Sequence, residues 1–154
     1  MKAELKEIPP SNHEAQELFQ LLDEHNLSYC PPEVCHLTQP EQLENINSVL
    51  LGVYCGETLV GMGGLKLYVE YAEITRMFIK PIYRGNGFAV QLLEELETIA
   101  KSKNYKLLKL ETSDKFKSAY RLYLRYGFEI CAPFGEYIHK AHNTYMEKKI
   151  SPNR

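Results

Sequence analysis

The sequence predicts an α/β fold (α+β in some schemes) built on a mixed, mainly antiparallel sheet of six or seven strands. Three observations carry this. A strand-like run over 74–80 meets Pro81, the loop Arg84-Gly85-Asn86-Gly87 and then an amphipathic helix, and a further apolar run over 107–112 follows. Strand, helix, strand in that order makes a parallel βαβ unit. Upstream, the apolar run 49–54 is joined to 58–69 by Gly56-Glu57, a two-residue hairpin turn with glycine first, so that pair is antiparallel. Finally, short strand-like segments over 3–8, 71–79, 128–131 and 144–150 flank helical ones.

The elements follow in order. The first strand stops at Pro9-Pro10, and Ser11-Asn12-His13-Glu14 has the form of a capping box with Ser11 as N-cap and Glu14 three residues on. The helix it opens buries Ala15, Leu18, Phe19 and Leu22 and ends near Asn26. Residues 27–47 hold three prolines and are irregular, with His36 among them as a candidate substrate contact. Gly61, Gly63 and Gly64 lie inside the strand 58–69, which points to a bulge or a close backbone neighbour. In the helix after the loop, Phe88, Leu92, Leu93, Leu96, Ile99 and Ala100 share one face, and Asn104 follows its end. Ser113 or Asp114 can cap the next helix, whose Phe116, Ala119, Tyr120, Tyr123 and Tyr126 form an inner stripe before Gly127.

At 154 residues the chain is expected to form one domain, 1–154, and 44% hydrophobic residues suffice for a substantial core. A net charge of −2 argues against nucleic acid as a partner. No apolar run is long enough for a membrane span, and the N-terminus is no signal peptide, so a cytoplasmic location is expected. Cys30, Cys35, Cys55 and Cys131 match no C-x-x-C pair, which leaves reduced thiols and no metal site as the expectation.

The loop 84–89 suits a phosphorylated ligand. The first N–H groups of a helix lack intrahelical partners and sit at its positive end. Gly85 and Gly87 permit close approach, and Arg84 adds a permanent cation. A P-loop is excluded, because G-x-x-x-x-G-K-[ST] is absent. A Rossmann fingerprint fits poorly where Val90 stands, although Glu111 lies about 20 residues on, as that pattern requires, and keeps a nucleotide or NAD reading open.

R-x-x-G-x-A over 84–89, after a strand ending Met77-Phe78-Ile79, resembles the pyrophosphate loop of the GNAT superfamily of acyl-CoA-dependent N-acetyltransferases. About 35 residues later the chain matches A-x-x-L-Y-x-x-x-G-F, from Ala119 through Leu122-Tyr123 to Gly127-Phe128, which that superfamily commonly carries. P-P-E-V-C-H-L at 31–37, G-M-G-G-L-K at 61–66, L-E-T at 110–112 and P-F-G-E-Y at 133–137 resemble a subfamily of small bacterial members. Thr75-Arg76, Ser113 and the tail H-K-A-H-N-T-Y-M depart from that subfamily.

The resemblance implies helices on both faces of the sheet, acetyl-CoA as co-substrate and a small-molecule amine as acceptor, with homodimers common in such families. It places Met77, Phe78 and Ile79 beside the pantetheine arm, and Arg84, Gly85, Asn86, Gly87, Phe88 and Ala89 around the pyrophosphate. It makes Tyr123 the acid that protonates the departing thiolate. For the base, Glu73 shares a strand face with Met77 and Ile79 by the period of two and matches the catalytic glutamate of one branch. Glu111, at the end of the neighbouring strand, and an ordered water are the alternatives. Arg76, His36 and the cation-rich tail 140–149 could meet a carboxylate, which favours an amino acid or related acid as acceptor. A non-catalytic acyl-CoA-binding or sensing domain is the competing reading.

Overall fold

Among the described residues seven strands form one sheet, lying side by side in the chain order one, two, three, four, five, seven, six. The computed structural model describes residues 2–28, 47–139 and 142–152. The strands are β1 (Glu4–Glu7), β2 (Ser48–Cys55), β3 (Thr58–Leu67), β4 (Ala72–Ile79), β5 (Leu107–Thr112), β6 (Glu129–Cys131) and β7 (Thr144–Lys149), and the helices are α1 (His13–Leu27), α2 (Phe88–Ser102) and α3 (Lys117–Tyr126). Every pairing is antiparallel except β4 with β5, the pair joined through α2. The mixed, mainly antiparallel sheet expected from sequence is therefore present, in its seven-strand form. Among the described residues no helix is long and apolar enough to cross a membrane.

Helices cover both faces. α1 buries Ala15, Leu18, Phe19 and Leu22 against Leu50, Leu59, Met62 and Phe78. α2 buries Phe88, Leu92, Leu93, Leu96 and Ala100 on the other face, against Val49, Leu51, Val60, Ile74 and Leu110, and Tyr123 of α3 joins that core. Each large apolar side chain so buried contributes about 1.5–3 kcal/mol before conformational entropy is counted. A third, smaller cluster of Phe134, Tyr137 and Tyr145 closes the β5–β7 end, with Tyr71 packed against it.

Local signals hold where no distant group competes with them. Gly56 has φ 61° between β2 and β3, as a hairpin turn with glycine first requires. Asn104 has φ 69° just beyond the last turn of α2, the left-handed position that ends many helices. Two helix starts differ from expectation. Asn12, not Ser11, caps α1: its side chain accepts from the Ala15 N–H at 3.0 Å, while its own N–H donates to the Pro9 carbonyl. Glu14 is thereby released from the capping box and accepts instead from the Leu59 N–H at 3.3 Å. α3 begins at Lys117 rather than after Ser113, because Ser113 and Phe116 form a turn first: the Phe116 N–H donates to the Ser113 carbonyl and the Lys115 N–H to Ser113 Oγ.

Candidate active site

β4 and β5 are paired over three residues only, Ala72–Ile74 with Leu108–Leu110. Beyond Ile74, β4 stays with β3 while β5 stays with β7, through Glu111 opposite Tyr145 and Thr112 opposite Thr144. The two strands part, and a cavity of about 870 Å³ opens between them. Its walls hold β4 from Glu73 to Ile79, the loop residues Arg84, Gly85, Gly87, Phe88 and Ala89, and Glu111, Tyr123 and Tyr137. Residues assigned to donor binding, catalysis and acceptor binding thus line one space. Asn86 is not on the wall; its side-chain amide donates to the Tyr83 carbonyl at 2.9 Å and pins the loop. His36 lies outside the described residues.

The loop is built as the chemistry of an anion cradle asks. Gly85 and Gly87 have φ of 82° and 80°, in the region that favours glycine, and a Cβ at either would meet nothing within 4 Å. Their openness faces the start of α2, where Gly87 is the N-cap and no side chain caps the helix. The first N–H groups of α2 are therefore available to a ligand at the positive end of the helix dipole. Arg84 donates from Nε to the Ile79 carbonyl at 2.9 Å and lies over the Phe78 ring, which holds an exposed guanidinium beside the loop. Phe88 contributes its backbone; its side chain is core.

The alternation assumed for β4 fails at one residue. Arg76 has φ 57°, and the register with β3 slips there, two β4 residues standing opposite Gly63. Such a bulge turns the following side chains over, and holding a non-glycine residue in this region costs on the order of 1–3 kcal/mol. Ala72, Ile74, Met77 and Ile79 all face the α2 core, whereas Phe78 faces α1. Glu73, between Ala72 and Ile74, points to the other side. The expectation that Glu73 shares a face with Met77 and Ile79 is thus overturned by the bulge. Gly63 makes room for it, since a Cβ there would lie 2.6 Å from Met77 Sδ.

Glu73 is 3% exposed. Burial raises its pKa to about 7, with Glu111 and Glu136 adding to the rise and Lys66 and the hydrogen bond from Tyr137 opposing it. The Tyr137 hydroxyl donates to Oε2 of Glu73 at 2.7 Å, from within the Phe134–Tyr145 aromatic cluster. Lys66 stands opposite Glu73 in the β3–β4 register and is equally buried. Glu111 is held by Tyr145 of β7 and by Asn143 just before that strand: Tyr145 Oη donates to its Oε2 at 3.2 Å and Asn143 Nδ2 at 3.3 Å. Tyr137, Tyr145, Asn143 and Lys66 were not singled out as site residues from the sequence. Tyr137 stands in the P-F-G-E-Y segment, whose resemblance carries no role for it.

Tyr123 is buried, packs edge-on against Phe128 and borders the cavity. Burial pushes its phenol pKa well above 10, so the hydroxyl keeps its proton at any working pH. Arg76 pairs with Asp23 of α1, not with a glutamate of the site, through Nη1 at 2.5 Å.

A sequence profile of the Acetyltransferase (GNAT) family matches residues 12–128. The uncharacterised N-acetyltransferase YedL of Escherichia coli (strain K12) is 31% identical over 130 residues, 82% of each chain. Among solved structures, a Klebsiella pneumoniae chain assigned to the acyl-CoA N-acyltransferases superposes with a TM-score of 0.78 at 26% identity, covering 96% of this chain and 97% of that one. The PaiA N-acetyltransferase of Thermoplasma acidophilum, in complex with coenzyme A, shares the fold with a TM-score of 0.70 at 22% identity, covering 97% of this chain and all of the other. With its parted β4–β5 strands, glycine loop and matching profile, this chain belongs to the acetyltransferase (GNAT) family of acyl-CoA N-acyltransferases.

Proposed function

We propose that the chain transfers the acetyl group of acetyl-CoA to the amine of a small molecule by direct attack. The observation that carries this reading is the parting of β4 from β5 above an uncapped helix start with two open glycines. The residues present fit the donor. The β4 edge from Met77 to Ile79, which no strand among the described residues pairs on the β5 side, can pair its backbone with an amide-bearing arm as an added strand would. Arg84, Gly85, Asn86, Gly87, Phe88 and Ala89 would hold the pyrophosphate through the α2 N-terminus and the Arg84 charge. When bound, acetyl-CoA supplies an activated acetyl thioester.

The chain's own residues supply the rest. Glu73 accepts a proton from the acceptor's ammonium, directly or through a water, and so frees the amine to attack; with its pKa raised to about 7 it is matched to that task near neutrality. Tyr137 orients the Glu73 carboxylate. A β4 backbone N–H stabilises the developing oxyanion. Tyr123 returns a proton to the leaving thiolate. Glu111, neighbouring Glu73 in the cavity, attracts the ammonium of the acceptor.

The test is release of free thiol from acetyl-CoA with a panel of amino acids, polyamines, aminoglycosides and peptide N-termini. Amine-dependent release at rates above background is expected. Saturable acetyl-CoA binding with no release for any amine would overturn catalysis and leave a binding domain.

A further inference from the structure

Arg76 is buried in a way its ion pair does not explain. Its side chain is 3% exposed, lies over the Phe19 ring at 4.5 Å and uses only Nη1 on Asp23. Nε and Nη2 are fully buried and have no hydrogen-bond partner among the described residues. These two nitrogens form one edge of the guanidinium, with parallel N–H groups spaced for two oxygens of one planar group. Leaving such donors unpaired is costly in a protein interior, and Arg76 borders the same cavity as Glu73 and Glu111.

We infer that the free edge of Arg76 is a receptor for a carboxylate of the acceptor, so that the substrate is an amino acid whose amine lies toward Glu73. This rests on the acetyltransferase reading for the amine end and on Arg76 alone for the acid end. Asp23 neutralises part of the Arg76 charge and fixes the guanidinium, and the Phe19 ring holds its plane, so the edge is pre-set before any ligand arrives. A polycationic acceptor would set an ammonium against two buried donors, which disfavours it at this wall. Glu73 and Arg76 are three residues apart on β4, at most about 10 Å along the strand and less with the bulge at Arg76, so the acceptor's amine and carboxylate are separated by one to several carbons.

The experiment measures affinity of product mimics with coenzyme A present, independent of turnover. The probes are N-acetylglycine, N-acetyl-β-alanine, N-acetyl-γ-aminobutyrate and N-acetylleucine, each against its primary amide. At least one acid should bind roughly 10–100-fold more tightly than its amide, the scale of a charge-assisted pair. Arg76→Gln should erase that preference and leave acetyl-CoA affinity unchanged, and Arg76→Lys, which keeps the charge but not the edge, should retain only part of it. If no acid outbinds its amide, if the preference survives Arg76→Gln, or if that variant weakens acetyl-CoA as much as the acid, the inference is wrong. Thiol release without acid preference overturns the Arg76 role and keeps the transferase; acid preference without thiol release does the reverse. Should Arg76→Gln fail to fold, the acid–amide contrast in the native chain and in Arg76→Lys decides.

Discussion

Replacing Glu73 by Gln removes a buried base while keeping its size and its hydrogen bond from Tyr137. In the folded chain the carboxyl has its pKa raised from 4.5 to about 7, chiefly by burial. If Glu73 is the base, kcat at saturating amine should rise about tenfold per pH unit up to about 7 and then level. Glu73→Gln should lower kcat by roughly 10²–10⁴ and abolish that inflection, with KM for acetyl-CoA nearly unchanged. Stability supplies an independent measure. Between pH 4.5 and 7 the folded chain retains a proton that the unfolded chain has released, so stability falls as pH rises through this window. Each unit is about 1.4 kcal/mol, which limits the penalty at pH 8 to about 3 kcal/mol. At about 2–4 °C per kcal/mol for a chain of this size, Glu73→Gln should gain up to roughly 6–12 °C in Tm on the native chain between pH 5 and pH 8. Calorimetric scans at four pH values and steady-state kinetics in the same buffers give both numbers. Near-full kcat in Glu73→Gln, or a Tm difference independent of pH, refutes the assignment. If Glu111→Gln loses the rate instead of raising KM for the amine, the two glutamates exchange roles; if both variants keep it, a water-relayed route is the better account.

Tyr137→Phe removes a hydrogen bond that holds the Glu73 pKa down, so the inflection of the kcat profile should move up by roughly half to one unit. Gly87→Glu sets a carboxylate at the start of α2 on a backbone with φ 80°, and should abolish the rise in Tm that acetyl-CoA gives the native chain; equal shifts in both proteins would remove the loop from the donor site. Tyr123→Phe should lower kcat by about 10–100-fold with acetyl-CoA binding retained, a modest loss because a phenol of raised pKa is a weak acid. Tyr120→Phe is its control, and similar effects in the two would reduce Tyr123 to packing. Gly61→Ala puts a methyl 2.4 Å from Ile79 Cδ1 and 2.9 Å from the Phe78 carbonyl, and should cost about 1–3 kcal/mol, read as a lower Tm without a change in pH profile.

What the sequence by itself determined is everything that depends on spacing along the chain. The three-and-four periodicity of Phe88, Leu92, Leu93, Leu96 and Ala100 defines the buried face of α2, because a helix repeats every 3.6 residues whatever it packs against. Gly56 between two apolar runs is enough for the hairpin, and Gly85 with Gly87 before α2 for the open loop, since each is a local backbone requirement. The two motifs around Arg84–Ala89 and Ala119–Phe128 led to the family that the profile over 12–128 confirms. Tertiary structure decided which way the chemistry points. The face that Met77 and Ile79 take relative to Glu73 depends on a bulge at Arg76, which arises from how β4 meets Gly63 on another strand, and a period of two carries no sign of it. Tyr137 reaches Glu73 across 64 positions and Asp23 reaches Arg76 across 53, contacts that chain spacing does not encode. Even the cap of α1 is Asn12 rather than Ser11, and Glu14 accepts from the Leu59 N–H of β3, a long-range donor that competes with the local capping-box N–H for the same carboxylate.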